Sequence, residues 1–538
     1  MWTRRRFLLT TAASAATLAI PIEVKRALAG EEPDLVLRVT ASPDRKPIWS
    51  GPETRVLRYR AEVLKGRRDA VRPASSYLGP TLELRRGERV RIHFENRMNE
   101  PSIIHWHGMI VPDVADGHPH HAVGPGSEYI YDFTVRNPAG TYLYHPHPHG
   151  LTGKQVYYGL AGLLIVRERG ELTYGLPAPE HELSLVIQDR RIGRENQFAF
   201  KRMMMDDMNG VLGDTVLVNG LPDAAFKVSP RSYRLRLANV SNARIYKLAW
   251  SDGRPMRVIA TDNGLLSSAE GTQTRPYVVL APFERVELLE DFGERRAGAE
   301  VALVSQAFSG LEMMDGMMDG MMGGGSGGMS GGMMGRDMGG MMGGMMGRGM
   351  GGMMGGMMRG MMGSGQGEEL LVARFTVSTE ARVRSEALRL PEPTSDVREG
   401  KHAIYTQLAF RHMRGFFNGR RFEMGVVADD ERLPLNEGTV WTFSNDGPGM
   451  PMPHPIHIHG VRFRILERSG GNIPEDLREG LIDAGYKDTF LIFPDERVRV
   501  LVAPTEPGLF MYHCHNLEHE DGGMMRNCLF GSDATGKG

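Results

Sequence analysis

At 538 residues the chain exceeds what a single core organises, and its net charge of −1, from 64 basic and 65 acidic side chains, gives no reason to expect nucleic acid or an anionic membrane surface as partner. Length alone suggests about three or four domains. Two cysteines exclude a disulfide framework, which leaves 18 histidines and 36 methionines as the residue types to follow.

The chain opens on "MWTRRRFLLTTAASAATLAIPIEVKRALAG". Thr3-Arg4-Arg5-Arg6-Phe7-Leu8 resembles the twin-arginine export signal, and Ala27-Leu28-Ala29 offers a small-x-small cleavage site. The apolar run between them is too short and too rich in Ala and Thr for a stable membrane anchor, and no later segment is apolar enough to span a bilayer. Residues 1–29 are therefore expected to be removed during export by the twin-arginine translocation machinery, leaving a soluble periplasmic protein.

Beyond the signal the texture is all-β. Short alternating segments such as "TLELRRGERVRIHFEN", "YRLRLANVS" and "ERVRVLVAP" are cut by Gly, Pro, Asn and Asp, the pattern of β-sandwiches. Three sandwich units are expected, at 30–170, 171–378 and 403–538, with the Pro- and charge-rich stretch 379–402 as a linker. Similar short phrases, "RGERV" at Arg86 to Val90 and "NEGTV" at Asn436 to Val440, recur, a hint of repeated units. Residues 309–367 interrupt the middle unit with a tract of almost nothing but Met and Gly, set between "EVALVSQAF" and "ELLVARFTV". Glycine at that density opposes helix and core alike, so the tract is expected to be a disordered insertion.

Four His-x-His pairs carry the chemistry: His105 and His107, His145 and His147, His457 and His459, His513 and His515. On a strand, residues two apart share a face, so each pair presents two imidazoles side by side. Two pairs lie in the first unit and two in the last, which places any shared metal cluster at the interface between them, and eight imidazoles suit two or three metals better than one. Cys514 lies inside the fourth pair and points to the opposite face, toward a second site for which His454, His519 and Met524 are the nearby candidates. Two His, a Cys and a weak axial Met describe a blue-copper electron-transfer centre; a disulfide from Cys514 to Cys528 is the alternative. One such copper joined to a three-copper cluster holds four electrons, the number that takes O2 fully to water.

"HWHG", "YHPHPHG", "HPIHIHG" and "HCHNLEHEDGGMM" together resemble the multicopper oxidases, which include laccases and the bacterial copper efflux oxidases, in the family's order and spacing. The resemblance covers essentially the whole mature chain and implies three cupredoxin-like Greek-key β-sandwich domains holding four copper ions. Carried over by position, it implies His105 and His457 at a type 2 copper, and His107, His145, His147, His459, His513 and His515 at a pair of type 3 coppers. His454, Cys514, His519 and Met524 would hold the type 1 copper. Asp116 and Glu520 match acidic positions that supply protons to oxygen reduction in the copper efflux oxidases, and Asp521 adjoins them. His118, His120, His121 and His149 fall outside the pattern; supporting or surface roles are expected, with weak accessory copper binding as the alternative.

The resemblance thus implies the oxygen end and leaves the reducing substrate open. Thioether sulfur prefers Cu(I) to hard ions, so the Met/Gly tract reads as a collector of Cu(I), with a low-complexity spacer as its alternative. In the copper efflux oxidases the Met-rich insert follows the linker; here it precedes it, and "LRLPEPTSD" offers no counterpart of their substrate-copper residues. Met450 and Met452 in "GMPMPHP" are the candidates for that role. The expected function is oxidation of Cu(I), and of small phenols, coupled to reduction of O2 by a monomeric enzyme of copper tolerance. A laccase with an organic natural substrate, a copper-sequestering protein without turnover and a relative that has lost its metals are the alternatives.

Overall fold

A computed structural model of the chain describes residues 32–200, 205–309, 365–394 and 397–531. The expected signal segment and the body of the Met/Gly tract lie outside these residues. Six sheets form among the described residues, and they fall in sequence into three consecutive pairs. Each pair encloses its own apolar core: one around Leu37, Ile92 and Trp106, one around Leu237, Trp250 and Phe375, and one around Trp441, Phe443 and Tyr512. The fold is all-β, as the alternation predicts. Arg89–Asn96, for example, alternates half-exposed and buried side chains along its whole length.

The three pairs share a topology. In each, the first long strand pairs in parallel with a later one: Leu35–Lys46 with Arg89–Asn96, Glu182–Arg190 with Ser232–Asn239, and Glu399–Arg411 with Gly438–Ser444. The phrases at Arg86 to Val90 and Asn436 to Val440 lead into the second partner of the first and third of these pairings. The Glu399–Arg411 strand starts inside the segment read from sequence as linker 379–402, because Glu399 already pairs with Gly438. Strands Glu300–Ser305 and Leu370–Val377, which flank the Met/Gly tract, pair directly with each other, so the tract is an insertion between adjacent strands.

Alternation fails where the first and third units meet. Ile104–His107, Gly140–Pro146 and His454–Ile458 are buried at every position, because a neighbouring unit covers the face that would otherwise be solvated. Those strands carry His105, His107, His145, His454 and His457. A short helix from each unit closes the same seam: Asp521, on Leu517–Asp521, accepts from the backbone N–H groups of Thr152 (2.9 Å) and Gly153 (3.0 Å), the first residues of Thr152–Tyr157. An acidic side chain on unpaired N–H groups at a helix start is favourable twice over, by hydrogen bond and by dipole. No helix among the described residues is long and apolar enough to cross a membrane.

Candidate metal centres

Strand register brings the histidines together. His105 lies opposite His145 across one antiparallel pair, and His457 lies opposite His513 across another. His147, His459 and His515 follow just beyond their strands and turn into the same space. The two halves interleave across the unit boundary: the rings of His105 and His459 stack with centroids 3.7 Å apart, and those of His107 and His457 at 3.8 Å. All eight are buried.

Hydrogen bonds determine which ring nitrogen each histidine offers. His105 and His457 donate from Nδ1 to the carbonyls of Asp116 and Asp488, both at 2.7 Å. Their Nε2 atoms are then bare acceptors, yet they face each other at 3.3 Å. His513 donates from Nδ1 to the Cys514 carbonyl (3.1 Å) and His459 to Asp116 Oδ2 (2.8 Å), and their Nε2 atoms lie 3.0 Å apart. His147 Nε2 stands 3.4 Å from the same His513 nitrogen. His145 donates from Nδ1 to the Pro146 carbonyl (2.9 Å), which leaves its Nε2 without a partner, and neither ring nitrogen of His515 has one. Lone pairs converging in a dry cage repel, and unpaired buried nitrogens cost free energy. A bound cation resolves both. Burial and mutual repulsion hold the rings neutral, with His145 and His513 pushed down to about 3, so the donor form is the one present at neutral pH.

His107 is turned the other way. Its Nε2 donates to Asp488 Oδ1 (3.0 Å), with Thr489 Oγ1 at 3.2 Å, and its Nδ1 is left without a partner. Asp488 is itself gripped by both ends of the Arg285 guanidinium, at 2.7 and 2.6 Å, and by Asn263 at 2.8 Å. The glycine of "HWHG" belongs to this arrangement. Gly108 has φ +83, and a Cβ there would sit 2.3 Å from Asp488 Oδ2. Neither Asp488 nor Arg285 was singled out from the sequence; they share no spacing with the histidines.

Cys514 occupies the opposite face of its strand, as alternation predicts. Its Sγ lies 3.5 Å from Nδ1 of His454 and 3.5 Å from Nδ1 of His519. His519 donates from Nε2 to the Met208 carbonyl (2.7 Å), so the nitrogen it turns to sulfur carries no proton. Met524 is tied to both: the Cys514 N–H donates to its carbonyl (3.1 Å) and its own N–H donates to that of His519 (2.9 Å). Cys514 and Cys528 are both free, so the disulfide alternative fails. The Met524 side chain is fully buried against Gly415, where a Cβ would come within 2.2 Å of the thioether sulfur. Gly415→Ala is therefore expected to displace Met524 and to cost about 1–3 kcal/mol in metal-free protein, measured by denaturant unfolding. An unchanged midpoint would contradict that packing.

The two acids flagged from sequence both reach the histidine cage. Asp116 accepts from His459, and Glu520 Oε2 lies 3.3 Å from His513 Nδ1 with Oε1 3.6 Å from His147 Nε2. Burial pushes both carboxyls well above their ordinary range. Asp521 belongs instead to the helix cap described above. Met450 and Met452 do come to the cysteine site, where they cluster with Met205, Met208, Met413 and Phe410. The Phe410 ring lies 4.7 Å from that of His519. "MMMDDM" at 203–208 carried the signal for Met205 and Met208 in plain sight.

Two such sites, one of eight imidazoles and one of Cys, His and Met, correspond to the family models that match the chain, both described as multicopper oxidase, over residues 57–171 and 398–533. The chain belongs to the multicopper oxidase family. Multicopper oxidase mco of Staphylococcus haemolyticus is 29% identical over 453 residues, covering 83% of this chain and 81% of that protein. The McoA multicopper oxidase of the hyperthermophile Aquifex aeolicus has a solved structure that superposes with a TM-score of 0.72 at 29% identity, over 93% of this chain and 97% of that one. A further relative, at 28% identity over 83% of this chain and 82% of its own length, is the cell division protein FtsP of Xenorhabdus nematophila. As a multicopper oxidase the protein is an oxidoreductase that takes copper as cofactor and oxygen as acceptor. The converging bare nitrogens and the buried thiol fit that cofactor, since imidazole and thiolate are the donors copper favours.

Proposed function

We propose that this multicopper oxidase takes its electrons from Cu(I), in a periplasmic role in copper tolerance, with small phenols as secondary substrates. In this reading His454, Cys514, His519 and Met524 hold a type 1 copper, His105 and His457 a type 2, and the other six histidines of the cage a type 3 pair. Bound copper supplies one-electron acceptance at the cysteine site and four-electron reduction of O2 to water at the histidine cage. The chain supplies the rest. His513 and His515 flank Cys514 directly, so covalent backbone joins the two sites. The stacked units exclude water from the cage, and Asp116 and Glu520 hold protons beside it for oxygen reduction.

The observation that supports Cu(I) is the thioether cluster. Met205, Met208, Met413, Met450 and Met452 gather around Phe410 against the His519 ring, and soft sulfur favours Cu(I) over hard cations. Beside them lies a cavity of about 390 Å³ whose lining includes the carboxylates Asp207, Glu518 and Asp521 against the one guanidinium of Arg414, a balance that favours a cation over an organic anion. The root of the Met/Gly tract lies on the same side. Gln366 accepts from the Ile245 N–H (3.2 Å) and donates to the Ala243 carbonyl (3.3 Å), and Ala243 packs beside Gly210 at the end of the short Asp206–Asn209 helix.

Replacing Met208, Met413 and Met452 together by leucine conserves volume and removes the soft donors. Steady-state oxygen uptake with Cu(I) is expected to fall by at least about 10-fold, the loss of roughly 1.4 kcal/mol of substrate stabilisation, while phenol oxidation persists. Unchanged Cu(I) turnover would overturn the proposal and favour a laccase with an organic substrate.

A further inference from the structure

Outside the two centres, a second group of imidazoles is built into the short turn that follows Asp116. His118 caps the 3-10 turn Pro119–His121, accepting the His120 N–H on its Nδ1 at 3.2 Å. His118 is fully buried, and its Nε2 donates to Asn527 Oδ1 at 2.9 Å. Asn527 cannot turn round, because its amide nitrogen already donates to the carbonyls of Glu423 (3.0 Å) and Val426 (2.7 Å). The His118 tautomer is thereby set, and its unprotonated Nδ1 points out of the core toward His120, whose own Nδ1 lies 2.6 Å away, so that a cation bound there takes the place of the His120 N–H. The His121 ring follows with its centroid 3.7 Å from that of His120, and His121 in turn lies 5.3 Å from Tyr129. His120 is exposed and His121 half-exposed, so this group opens to solvent while its anchor does not.

We propose that His118, His120 and His121 form an accessory site for a borderline divalent cation, of which Cu(II) and Zn(II) are the representative ions. Neutral imidazole is the donor such ions prefer. Burial keeps His118 and His121 neutral, both pushed down to about 4, so the donors are present without competition from protons at neutral pH. The negative charge of Asp113 acts on both His120 and His121 and adds to the attraction for a dication. A tetrahedral ion with metal–nitrogen bonds of about 2.0–2.1 Å sets its ligands about 3.4 Å apart. The His118 and His120 nitrogens must therefore part by less than about 1 Å, a movement within reach of the exposed His120 ring. Proline at the first position of the turn holds its backbone in place, which lowers the ordering cost of binding. The site is independent of which reducing substrate the oxidase uses.

Zinc is the probe of choice, because thioethers of the Met/Gly tract bind it poorly. Full-length, copper-loaded protein titrated with Zn(II) in a calorimeter should take up one equivalent more than the His120→Ala, His121→Ala double variant. Each single variant should weaken that equivalent by at least about 10-fold, and oxygen uptake should be the same in all four proteins. Equal zinc uptake by the parent and the double variant would overturn the proposal, and would leave His118 and His120 as a hydrogen-bonded pair only.

Discussion

Cys514→Ser is expected to abolish the blue colour of the copper-loaded protein and to lower oxygen uptake to background, while the chain still folds. Among the described residues Cys514 Sγ is the thiol that reaches Nδ1 of both His454 and His519, each 3.5 Å away. A serine hydroxyl nearly matches the thiol in shape but is a hard, weakly acidic donor, and it cannot supply the thiolate that gives a blue centre its colour. Placed at a fully buried position the hydroxyl costs about 1–3 kcal/mol, well short of unfolding a protein of this size. The histidine cage lies on the other face of the strand and should keep its metal, so copper content should fall by one ion per chain and no more. Cys528→Ser is the control: that thiol is buried in the same core, remote from the site histidines in sequence register, and its loss should leave the colour intact. Retained colour in Cys514→Ser would remove the basis for a type 1 copper here.

The contrast between what could and could not be read in advance has a physical origin. Ligands on strands obey a period of two, so the four His-x-His pairs and the opposed Cys514 could be read from spacing alone. The all-β fold was equally legible, because one-sided burial alternates along strands such as Arg89–Asn96. Groups that act across chain segments leave no such mark. Asp488 reaches His107 from 381 positions away, and Arg285 reaches Asp488 from 203. Asp521 looked like a neighbour of Glu520 in function because it is one in sequence, yet helical rotation turns it to the Thr152 N–H instead. The thioether cluster was half visible. Met450 and Met452 stood next to a ligand motif, whereas Met205, Met208 and Met413 come from the middle unit and from a separate hairpin.

Arg285→Met is expected to destabilise the metal-free protein by about 3–5 kcal/mol and to weaken copper retention by about 10–100-fold. Arg285 is fully buried and belongs to the middle unit, yet every other unit depends on it. Its Nε donates to the Thr141 carbonyl of the first unit (3.1 Å), and its two terminal nitrogens donate to Asp488 of the third (2.7 and 2.6 Å). Asp488 then takes the Nε2 proton of His107, back in the first unit. The chain of contacts converts a domain junction into a statement about tautomers: burial pushes the Asp488 carboxyl up, Arg285 pulls it back toward the charged form, and His107 donates to it from Nε2 and offers Nδ1 to the cage. Methionine fills much of the arginine's volume but strands the carboxylate, which then takes up a proton or turns away. Either outcome frees the His107 ring to choose the other tautomer, which withdraws one donor from the cluster. Denaturant unfolding of the metal-free protein reads the first effect, and copper retained on dialysis against a chelator reads the second. Arg285→Lys restores a charge without the paired geometry, so it should recover stability more fully than copper retention. If both recover together, the arginine acts by charge alone and the tautomer argument fails.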